Sequence, residues 1–411
     1  MILKMAFRNI FRHKIRSALT IFMIFFGIFM AIIGVAMNNG MSKQAIESNI
    51  RTEIGTILIY PAEYDNDREN NNIIDFDFKD ETKIIHILQN HPQIVAYTPR
   101  VKFTGSFTNG KHEFPATFVG IDTELEDMVF KRSDTIIDGN YLIPEELNKV
   151  IIGKNTANLL NLKTGDFITL IARDYKKGMN AYDVEIKGIF ESGNLKIDDG
   201  YVFMSKNFAQ TFSQKTKINE IIITTQISEK KYVNEIAKDL NNNMGKDISI
   251  IPWYVEIEDF LKFMELDEKS GFVFTFLLLI MAGLGIANTL IMAVFERKRE
   301  IGIFFAMGFS RKKMLTLFTL EGIVVGAIGA FTALVFGSVL VYYFYRYGIY
   351  IPMGEEFTGG DIPLGNRIYG YISPLKMFVY AFSGVVISAI ASIYPAYYAT
   401  KLNPVEIMKN S

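Results

Sequence analysis

One stretch of the sequence decides the fold: Met281–Gly308, which reads MAGLGIANTLIMAVFERKREIGIFFAMG. Its first part continues an apolar run that begins at Ser270 and meets no charged residue before Glu296. About 20 apolar residues in helical conformation cross the hydrocarbon core of a bilayer, so the run predicts a transmembrane helix. The charged sequence ERKRE follows at 296–300, and a short apolar amphipathic segment comes after it. The pattern is typical of a membrane helix that ends in a segment bound by another protein.

Four apolar windows lack charged residues over more than about 18 positions, the usual threshold for a spanning helix. They are Ser17–Ser42, Ser270–Phe295, Gly322–Tyr345 and Met377–Thr400. Buried helices of a large soluble protein are the alternative, but such helices are usually shorter and amphipathic. The first window is also longer than the core of a signal peptide, so we expect it to remain uncleaved. We therefore predict four transmembrane helices, at 17–42, 270–295, 314–346 and 374–400.

Two of these helices are predicted to extend beyond the bilayer. Helical periodicity at 256–266 leads into span two, so one helix would run from about 256 to 298 and measure roughly 64 Å. This length is about twice the thickness of the hydrocarbon core. Span one is expected to extend similarly through Ile50. Two such stalks would link the membrane mechanically to the segment 43–269.

The distribution of basic residues predicts the orientation of the chain. Lysine and arginine recur in the segments 1–16 and 296–313 and in the tail 401–411, and they are sparse in the loop 347–373. Because these residues stay preferentially on the cytoplasmic side, both termini and the segment 296–313 are predicted to be cytoplasmic. Residues 43–269 and the loop 347–373 are then expected on the periplasmic side of the inner membrane.

The segment 43–269 is predicted to be an α+β domain. Strands and helices alternate at 51–121 and 217–254, which indicates two halves of βαβ type, and Asn109-Gly110 predicts a hairpin turn. Short strands separated by turns predict an inserted, mostly β subdomain at 122–216. The chain has no cysteine, so this domain must be held by its core rather than by disulfides.

No catalytic, nucleotide or metal site is predicted on this chain. Gly105–His112 (GSFTNGKH) approaches a phosphate-binding loop, but it lacks the terminal Ser or Thr and precedes a strand instead of a helix. The 4 histidines have no metal-ligand spacing. No pairing of a nucleophile with a base is present. We therefore expect no enzymatic activity and no bound cofactor, and the net charge of −1 gives no indication of nucleic acid binding.

Several polar and small residues fall within the predicted spans. Asn288 is expected to form a hydrogen bond between helices, with contact to a substrate as the alternative. Glu321 is predicted near the cytoplasmic interface, where it would pair with a basic residue. Small residues favour close helix packing, either within the chain or between subunits. They are Gly322, Gly326, Gly329 and Gly337.

Three motifs carry a resemblance to a known family. They are Ala6–Arg16 (AFRNIFRHKIR), Asn288–Gly308, and Tyr394–Met408 (YPAYYATKLNPVEIM). Together with the order of one span, a large extracytoplasmic domain and three spans, they resemble permeases of the MacB/FtsX/LolE superfamily, the type VII ABC transporters. The similarity covers nearly the whole chain. Within the superfamily, Met37–Met41 and Arg51–Tyr60 are most similar to LolE-type permeases.

The resemblance implies an α-helical membrane protein with four transmembrane helices and a large α+β, porter-like extracytoplasmic domain that carries an inserted β-rich subdomain. It implies that a separate dimer of ABC ATPase subunits, which binds ATP and Mg, drives the chain through a cytoplasmic coupling helix. The residues implied for this coupling are Glu296, Arg297, Lys298, Arg299, Glu300, Ile301, Gly302, Ala306, Met307 and Gly308.

The resemblance also implies a substrate and further partners. LolE-type permeases extract lipoproteins from the inner membrane and pass them to a periplasmic carrier, using a cavity between two permease subunits. The second subunit would be another copy of this chain or a paralogue, and membrane lipids would surround both. The candidate cavity residues are Phe22, Phe25, Phe26, Phe29, Ile33 and Asn288. For the apolar ones, contact with lipid or packing between helices is the alternative role.

Two other functions remain open from the sequence. The first is MacB-like export of peptides or small amphiphiles from the periplasm, although MacB carries a fused ATPase domain that this chain lacks. The second is FtsX-like transmembrane signalling to a cell-wall hydrolase, although FtsX-type domains are much smaller than residues 43–269.

Overall fold

The computed structural model describes residues 5–9, 14–66, 68, 72–350 and 367–402. The predictions for the remaining parts of the basic N-terminal segment, the loop 347–373 and the tail 401–411 lie outside the described residues. The chain divides into two compact units. The helical unit contains Met1–Ser42, Phe263–Tyr350 and Ile368–Ser411, and the sheet unit contains Lys43–Lys262 and Ile351–Arg367.

The helices are numbered here in chain order. They are α1 (Lys14–Asn49), α2 (Ala62–Asp65), α3 (Glu81–Asn90), α4 (Thr123–Phe130), α5 (Lys154–Leu160), α6 (Leu195–Gly200), α7 (Lys206–Ser213), α8 (Lys230–Met244), α9 (Trp253–Glu256), α10 (Glu258–Glu296), α11 (Lys298–Ala306), α12 (Arg311–Tyr347) and α13 (Pro374–Thr400). A π-helix, Ile50–Ile54, continues α1, and two 3₁₀ turns lie at Ile73–Asp75 and Arg132–Thr135.

The strands are also numbered in chain order. They are β1 (Ile57–Pro61), β2 (Ile94–Thr108), β3 (Glu113–Ile121), β4 (Ile136–Gly139), β5 (Lys149–Gly153), β6 (Phe167–Arg173), β7 (Met179–Phe190), β8 (Tyr201–Ser205), β9 (Glu220–Thr225), β10 (Ile248–Pro252), β11 (Ile349–Tyr350) and β12 (Arg367–Ile368).

The helical unit is built on α1, α10, α12 and α13, which are long and apolar enough to cross a membrane. Ile24, Ile28 and Ile32 of α1 are almost fully buried in its core, because a spacing of four residues keeps them on one helix face. Ile286 of α10 and Ala333 of α12 belong to the same core.

Glycines let helices of this unit approach closely. A Cβ atom at Gly326 of α12 would lie 2.5 Å from the Ser388 side chain of α13, and Gly322 meets Ser392 in the same way. Gly329 and Gly337 face α1. Of the two roles predicted for these four glycines, close packing within the chain is therefore the one observed.

The sheet unit contains one mixed sheet of ten strands, in the order β10-β1-β9-β2-β3-β8-β5-β7-β4, with β6 paired to β2 and β7. The pairs β3–β8 and β5–β7 are parallel, and the other pairs are antiparallel. The predicted hairpin is present, because β2 and β3 pair on either side of Gly110, whose φ is 86°. Gly105–His112 is therefore the end of a strand and its turn, and not a phosphate-binding loop.

Residues 122–216, predicted as an inserted, mostly β subdomain, combine strands with short helices. They contain four helices, α4 to α7, as well as strands. Their strands also continue the main sheet, since Thr117 of β3 pairs with Tyr201 of β8. The helices are short and amphipathic, and α7 begins where the Ser205 side chain accepts a hydrogen bond from Phe208 N at 3.3 Å. Helices of six to eight residues carry too little periodicity to stand out between turns.

The predicted fold class is confirmed: four long apolar helices are combined with a large α+β domain built on a mixed sheet.

Candidate functional site

The predicted coupling segment forms a short helix between two long ones. The backbone of Arg297 (φ −100°, ψ 16°) separates the end of α10 from the start of α11. Gly308, with φ 83°, then turns the chain, and Phe309 N donates to Phe304 O at 3.0 Å. Ser310 caps α12 by accepting from Lys313 N at 3.4 Å. The segment is thus a compact helix held at both ends by defined turns.

One face of α11 is buried and the other is exposed. Ile301 and Gly302 are buried, and Ile301 packs in one hydrophobic cluster with Met314, Leu317 and Phe318 of α12. The exposed face combines charge and apolar surface. It contains Arg299, Ile303, Ala306 and Met307, and Met307 is 69% exposed. Arginine and methionine are enriched where proteins bind one another, so this face has the composition of a protein contact.

Two ion pairs, named here the hinge cluster, hold the start of the segment. Arg16 of α1 pairs with Glu296, and Arg297 Nη1 lies 3.5 Å from Glu321 Oε1 of α12. The predicted pairing of Glu321 with a basic residue is confirmed. Arg297 and Glu321 are 7% and 6% exposed, so removing either partner would leave a buried charge. The cluster therefore ties the residues before α11 to both α1 and α12.

The hinge cluster is incompletely hydrogen-bonded. Among the described residues, five buried side-chain atoms have no hydrogen-bond partner, and three of them belong to this cluster. These are Arg16 Nη1, Arg297 Nε and Glu321 Oε2. Unsatisfied buried polar groups are costly, so this arrangement is less stable than a fully bonded one.

A second set of charges, named here the clamp cluster, surrounds the π-helix in the sheet unit. Arg132 Nη2 donates to Thr52 O at 2.9 Å, and Arg100 Nη1 donates to Glu53 O at 3.4 Å. The Glu53 carboxylate accepts from Lys196 Nζ at 2.9 Å and from the Tyr201 hydroxyl. Side chains from several elements thus converge on the two residues Thr52 and Glu53.

Glu126 lies at the centre of the clamp cluster. It accepts from Arg100 Nη2 at 2.6 Å and from Arg132 Nε at 2.5 Å, and Arg100 also pairs with Glu220 at 3.3 Å. The four side chains are 0–3% exposed. Burial raises the pKa of Glu126, but the charges of Arg100 and Arg132 outweigh it and hold the pKa at about 2. The carboxylate is therefore ionised at neutral pH and pairs with both arginines.

A cleft of about 430 Å³ lies between α1, α10 and α13 in the helical unit. Its apolar lining contains Phe26, Met30, Val35, Phe274 and Leu278. Its polar lining contains Asn38, Asn39, Glu268, Thr275 and Tyr380. Glu268 is bonded at 2.7 Å to Lys376 at the start of α13. One surface of the bundle thus offers an apolar slot with charged and amide groups at one end.

The predicted cavity residues lie in different environments in the structure. Phe26 lines the cleft, and Phe22 is exposed. Phe25 stacks on Phe29 at 5.2 Å between ring centroids and meets Phe336 of α12 edge-on at 6.0 Å.

The other two candidates also lie apart from the cleft lining. Ile33 is half-buried, and Asn288 is exposed on α10. Sequence reasoning missed Glu268, Asn38 and Asn39. Their signal was present, because each lies at the outer end of an apolar window, where polar groups meet the bilayer interface.

Two family models match the sequence. The model described as "MacB-like periplasmic core domain" matches residues 17–242, which is more than half of the chain, and the model described as "FtsX-like permease C-terminal" matches residues 272–404. Within the described residues, no group of three or more His, Asp or Glu side chains is arranged to hold a metal ion.

Sequence similarity to known transport proteins extends over most of the chain. The chain is 22% identical over 331 residues to the lipoprotein-releasing system transmembrane protein LolE of Haemophilus influenzae, covering 79% of each chain. It is 23% identical over 429 residues to the macrolide export ATP-binding/permease protein MacB of Campylobacter jejuni, covering 98% of this chain and 60% of that protein. The solved periplasmic region of MacB from Actinobacillus actinomycetemcomitans matches 53% of this chain and 98% of that one, with 16% identity and a TM-score of 0.36.

Proposed function

The chain belongs to the family of ABC transporter permeases with a MacB-like periplasmic core and an FtsX-like C-terminal part, and from this we propose that it extracts lipoproteins from the inner membrane. It is a multi-pass membrane protein with a periplasmic or extracellular domain. As an ABC permease it works with an ATPase partner. In the proposed complex a separate ATPase dimer binds ATP and Mg, and a periplasmic carrier receives the lipoprotein.

The cleft between α1, α10 and α13 is the observation that carries this proposal. A lipoprotein anchor has acyl chains joined to a polar head, and the cleft has an apolar slot with polar groups at one end. Glu268 and Leu278 are ten residues apart on α10, which corresponds to about 15 Å along the helix. A slot of this length can bury several methylene groups at about 0.8 kcal/mol each.

The basic segments support an orientation with both termini and α11 in the cytoplasm. In this proposed orientation the polar end of the cleft faces the outer leaflet, where a lipoprotein anchor resides. The exposed face of α11, with Ile303 and Met307, then meets the ATPase. The opposite face of α11 packs on α12, so a push on α11 is passed to the membrane helices.

The clamp cluster supplies the other end of the proposed mechanism. Glu53 lies in the π-helix that continues α1, and buried charges of the sheet unit bind it. Movement of the last part of α1, which belongs to the sheet unit from Lys43 onward, would therefore act on that unit through hydrogen bonds and ion pairs. We propose that ATP-driven movement of α11 narrows the cleft and expels its occupant toward the carrier.

Filling the cleft tests the proposal. Gly34 and Gly271 line the cleft, and a Cβ atom at either position would meet no other atom within 4 Å. Gly34→Leu or Gly271→Leu should therefore occupy the slot without disturbing helix packing. We expect release of a fluorescent lipoprotein from proteoliposomes to fall about tenfold or more, because even a modest loss of acyl-chain burial changes binding by that factor.

Two controls sharpen this experiment. Gly34→Ala adds a single methyl group and should release lipoprotein at nearly the normal rate. ATP hydrolysis by the assembled complex should remain similar in all variants, since α11 is unchanged. Unaltered release in both leucine variants, with normal assembly, would refute the role of the cleft.

A second candidate function is export of amphiphiles or peptides from the periplasm. The MacB relative supports it, because the similarity covers 98% of this chain. The same proteoliposomes distinguish the two functions when a small amphiphile replaces the lipoprotein. ATP-dependent movement of the amphiphile, with no release of lipoprotein, would favour export.

A further inference from the structure

The polar end of the cleft between α1, α10 and α13 holds two opposite charges. Glu268 of α10 lines the cleft, and its carboxylate accepts a hydrogen bond at 2.7 Å from the ammonium group of Lys376 at the start of α13. The two side chains are 60% and 46% exposed, so each has room for a further partner. Exposed ion pairs contribute little to stability, so this pair can exchange partners at low cost. The mouth of the cleft thus offers a carboxylate and an ammonium group side by side.

Two amide groups line the same cleft. Asn38 and Asn39 lie at the end of the apolar part of α1, and both are half-buried. Within the part of the chain that the structure describes, their side chains form no hydrogen bond; Asn38 takes part only through its backbone oxygen, which accepts from Ser42. Each amide has two donor hydrogens. These donors are therefore available to an oxygen-rich group of a ligand.

The apolar part of the cleft has about the depth of one leaflet. Phe26 and Asn38 both line it and are twelve residues apart on α1, which corresponds to about 18 Å. Half of a hydrocarbon core of about 30 Å is about 15 Å. The volume of about 430 Å³ lies within the range of about 300–1,000 Å³ for pockets that enclose a small ligand. An acyl chain from one leaflet therefore fits along the slot with its head group at the charged end.

We propose that the cleft also binds a diacyl phospholipid with a zwitterionic phosphoethanolamine head group, whose ammonium group pairs with Glu268 and whose phosphate pairs with Lys376. The inference rests on the cleft of the proposed function, but it needs only the geometry of that cleft and not a lipoprotein substrate. The phospholipid fills the slot when no lipoprotein is bound, and a lipoprotein anchor must displace it.

The charges of this head group complement those of the cleft. Phosphoethanolamine carries one positive and one negative charge, so its binding converts a single ion pair into an alternating square of four charges. Its phosphate oxygens accept hydrogen bonds, which the amides of Asn38 and Asn39 are able to donate.

Other common head groups match the cleft less well. Phosphoglycerol carries only a negative charge, so it leaves Glu268 facing a second negative charge without compensation. Phosphocholine carries both charges, but its quaternary ammonium has no hydrogen to donate to the carboxylate. The expected order of binding is therefore phosphoethanolamine, then phosphocholine, then phosphoglycerol.

Photocrosslinking with labelled phospholipids tests the proposal. The full chain, purified in mild detergent, is incubated with diacyl phospholipids that differ only in head group and carry a diazirine in one acyl chain. Mass spectrometry of the peptides then locates the label. We expect labelling of residues that line the slot, such as Phe26 and Phe274. Phosphoethanolamine should exceed phosphoglycerol by about twofold to fivefold, which is the effect of one exposed ion pair.

Two variants of Glu268 test the role of its charge. Glu268→Gln removes the carboxylate and should abolish the preference for phosphoethanolamine. Glu268→Lys places a second positive charge beside Lys376 and should reverse the preference, so that phosphoglycerol labels the slot more strongly. The matched control is Glu265→Lys. Glu265 lies one turn earlier on α10, pairs with Lys269 at 2.8 Å and is not part of the cleft lining, so this variant should retain the original preference.

Three results would overturn the proposal. Equal labelling by all three head groups in the natural chain would exclude recognition of the head group. Labelling that spares the slot would exclude the cleft as the lipid site. A reversal of preference in Glu265→Lys as strong as in Glu268→Lys would show a general effect of surface charge instead of a contact with Glu268.

Unlabelled lipoprotein separates this inference from the proposed function. A lipoprotein that shares the cleft should reduce labelling by the phospholipid. If labelling keeps its head-group preference while lipoprotein neither reduces it nor is released with ATP, only the proposed function is refuted. Normal release of lipoprotein from a chain whose slot is labelled without preference would refute only this inference.

Discussion

The hinge cluster and the clamp cluster are both built from buried arginine and glutamate, but they differ in how completely they are bonded. In the clamp cluster, Glu126 is bonded by two arginines and Arg100 by two glutamates. In the hinge cluster, Arg297 and Glu321 meet through one contact of 3.5 Å, and each retains a buried atom without a partner in the described chain.

This difference in hydrogen bonding indicates which of the two clusters can rearrange. A fully bonded buried network loses several interactions when any member moves, so it holds one geometry. A partly bonded network has less to lose and can exchange partners. The clamp cluster is therefore suited to hold Thr52 and Glu53 firmly, whereas the hinge cluster is suited to let α11 change its angle.

The largest effect is expected from breaking the centre of the clamp cluster. Glu126→Ala leaves Arg100 and Arg132 buried without their shared carboxylate, which should destabilise the sheet unit by about 3–5 kcal/mol. Thermal unfolding of the detergent-purified chain measures the change. Glu185→Ala is the control, since Glu185 forms a half-exposed pair with Lys149 at 3.5 Å. If the two variants unfolded at the same temperature, the clamp cluster would have no special role.

The second largest effect is expected from breaking the helix α11. Gly302 is buried in the middle of this nine-residue helix. Gly302→Pro should break the helix, because proline in a helix interior destabilises it by about 3 kcal/mol or more. We expect ATP hydrolysis to continue while transport is lost. Glu300→Lys should uncouple the two processes in the same way. Gly302→Ala serves as the control, and coupled transport in both disruptive variants would contradict the assignment of α11.

Breaking the hinge cluster should cost less than breaking the clamp cluster. Glu321→Ala removes the carboxylate that faces Arg297, and we expect a loss of about 1–3 kcal/mol because the pair is already incompletely bonded. The ratio of ATP hydrolysed to lipoprotein released should rise at the same time. A loss of stability equal to that of Glu126→Ala would remove the distinction between the clusters.

Acid titration tests the ionised Glu126 carboxylate at the centre of the clamp cluster. The pKa of Glu126 is about 2 in the folded chain, against about 4.3 for an unperturbed glutamate. Its contribution to stability is therefore complete above about pH 4.3 and is lost as the pH falls toward 2. Glu126→Gln should flatten this part of the curve of unfolding temperature against pH. An unchanged curve would show that other carboxylates dominate acid unfolding.

The smallest effect is expected at the edge of the clamp cluster. Lys196 pairs with Glu53 at 2.9 Å, but its side chain is 53% exposed. Exposed pairs contribute about 0–1 kcal/mol, so Lys196→Ala should barely change the unfolding temperature. Tyr201→Phe, which removes a buried hydrogen bond to the same carboxylate, should have the larger effect.

Sequence reasoning predicted the helices better than the clusters. The predicted extension of spans one and two matches α1, which continues to Ile54 through the π-helix, and α10, which begins at Glu258. Long apolar runs determine such helices locally. The clamp cluster escaped prediction because Arg100 and Glu220 are 120 positions apart in sequence. Only the pairing of β2 with β9 brings them together.

The cleft could be predicted only in part. An aromatic stripe at Phe22, Phe25, Phe26 and Phe29 covers more than one face of α1, and the sequence does not say which face meets α12. In the structure Phe25 faces Phe336 and Phe26 faces the cleft. Adjacent residues on a helix differ by about 100°, so the packing of the other helices decides the role of each ring.

The length of the π-helix determines how the side chains of Thr52 and Glu53 are oriented around the helix axis. Gly55 N donates to Ile50 O at 3.0 Å, a bond across five residues where an α-helix spans four. Thr52 and Glu53 lie within this wide turn, and Arg132 and Arg100 of the clamp cluster bind their carbonyl oxygens. Removing one residue from the turn would rotate the residues after it by about 100° relative to the residues before it. Glu53 would then lose Lys196 and Tyr201, so the length of this turn determines which side chains reach the clamp cluster.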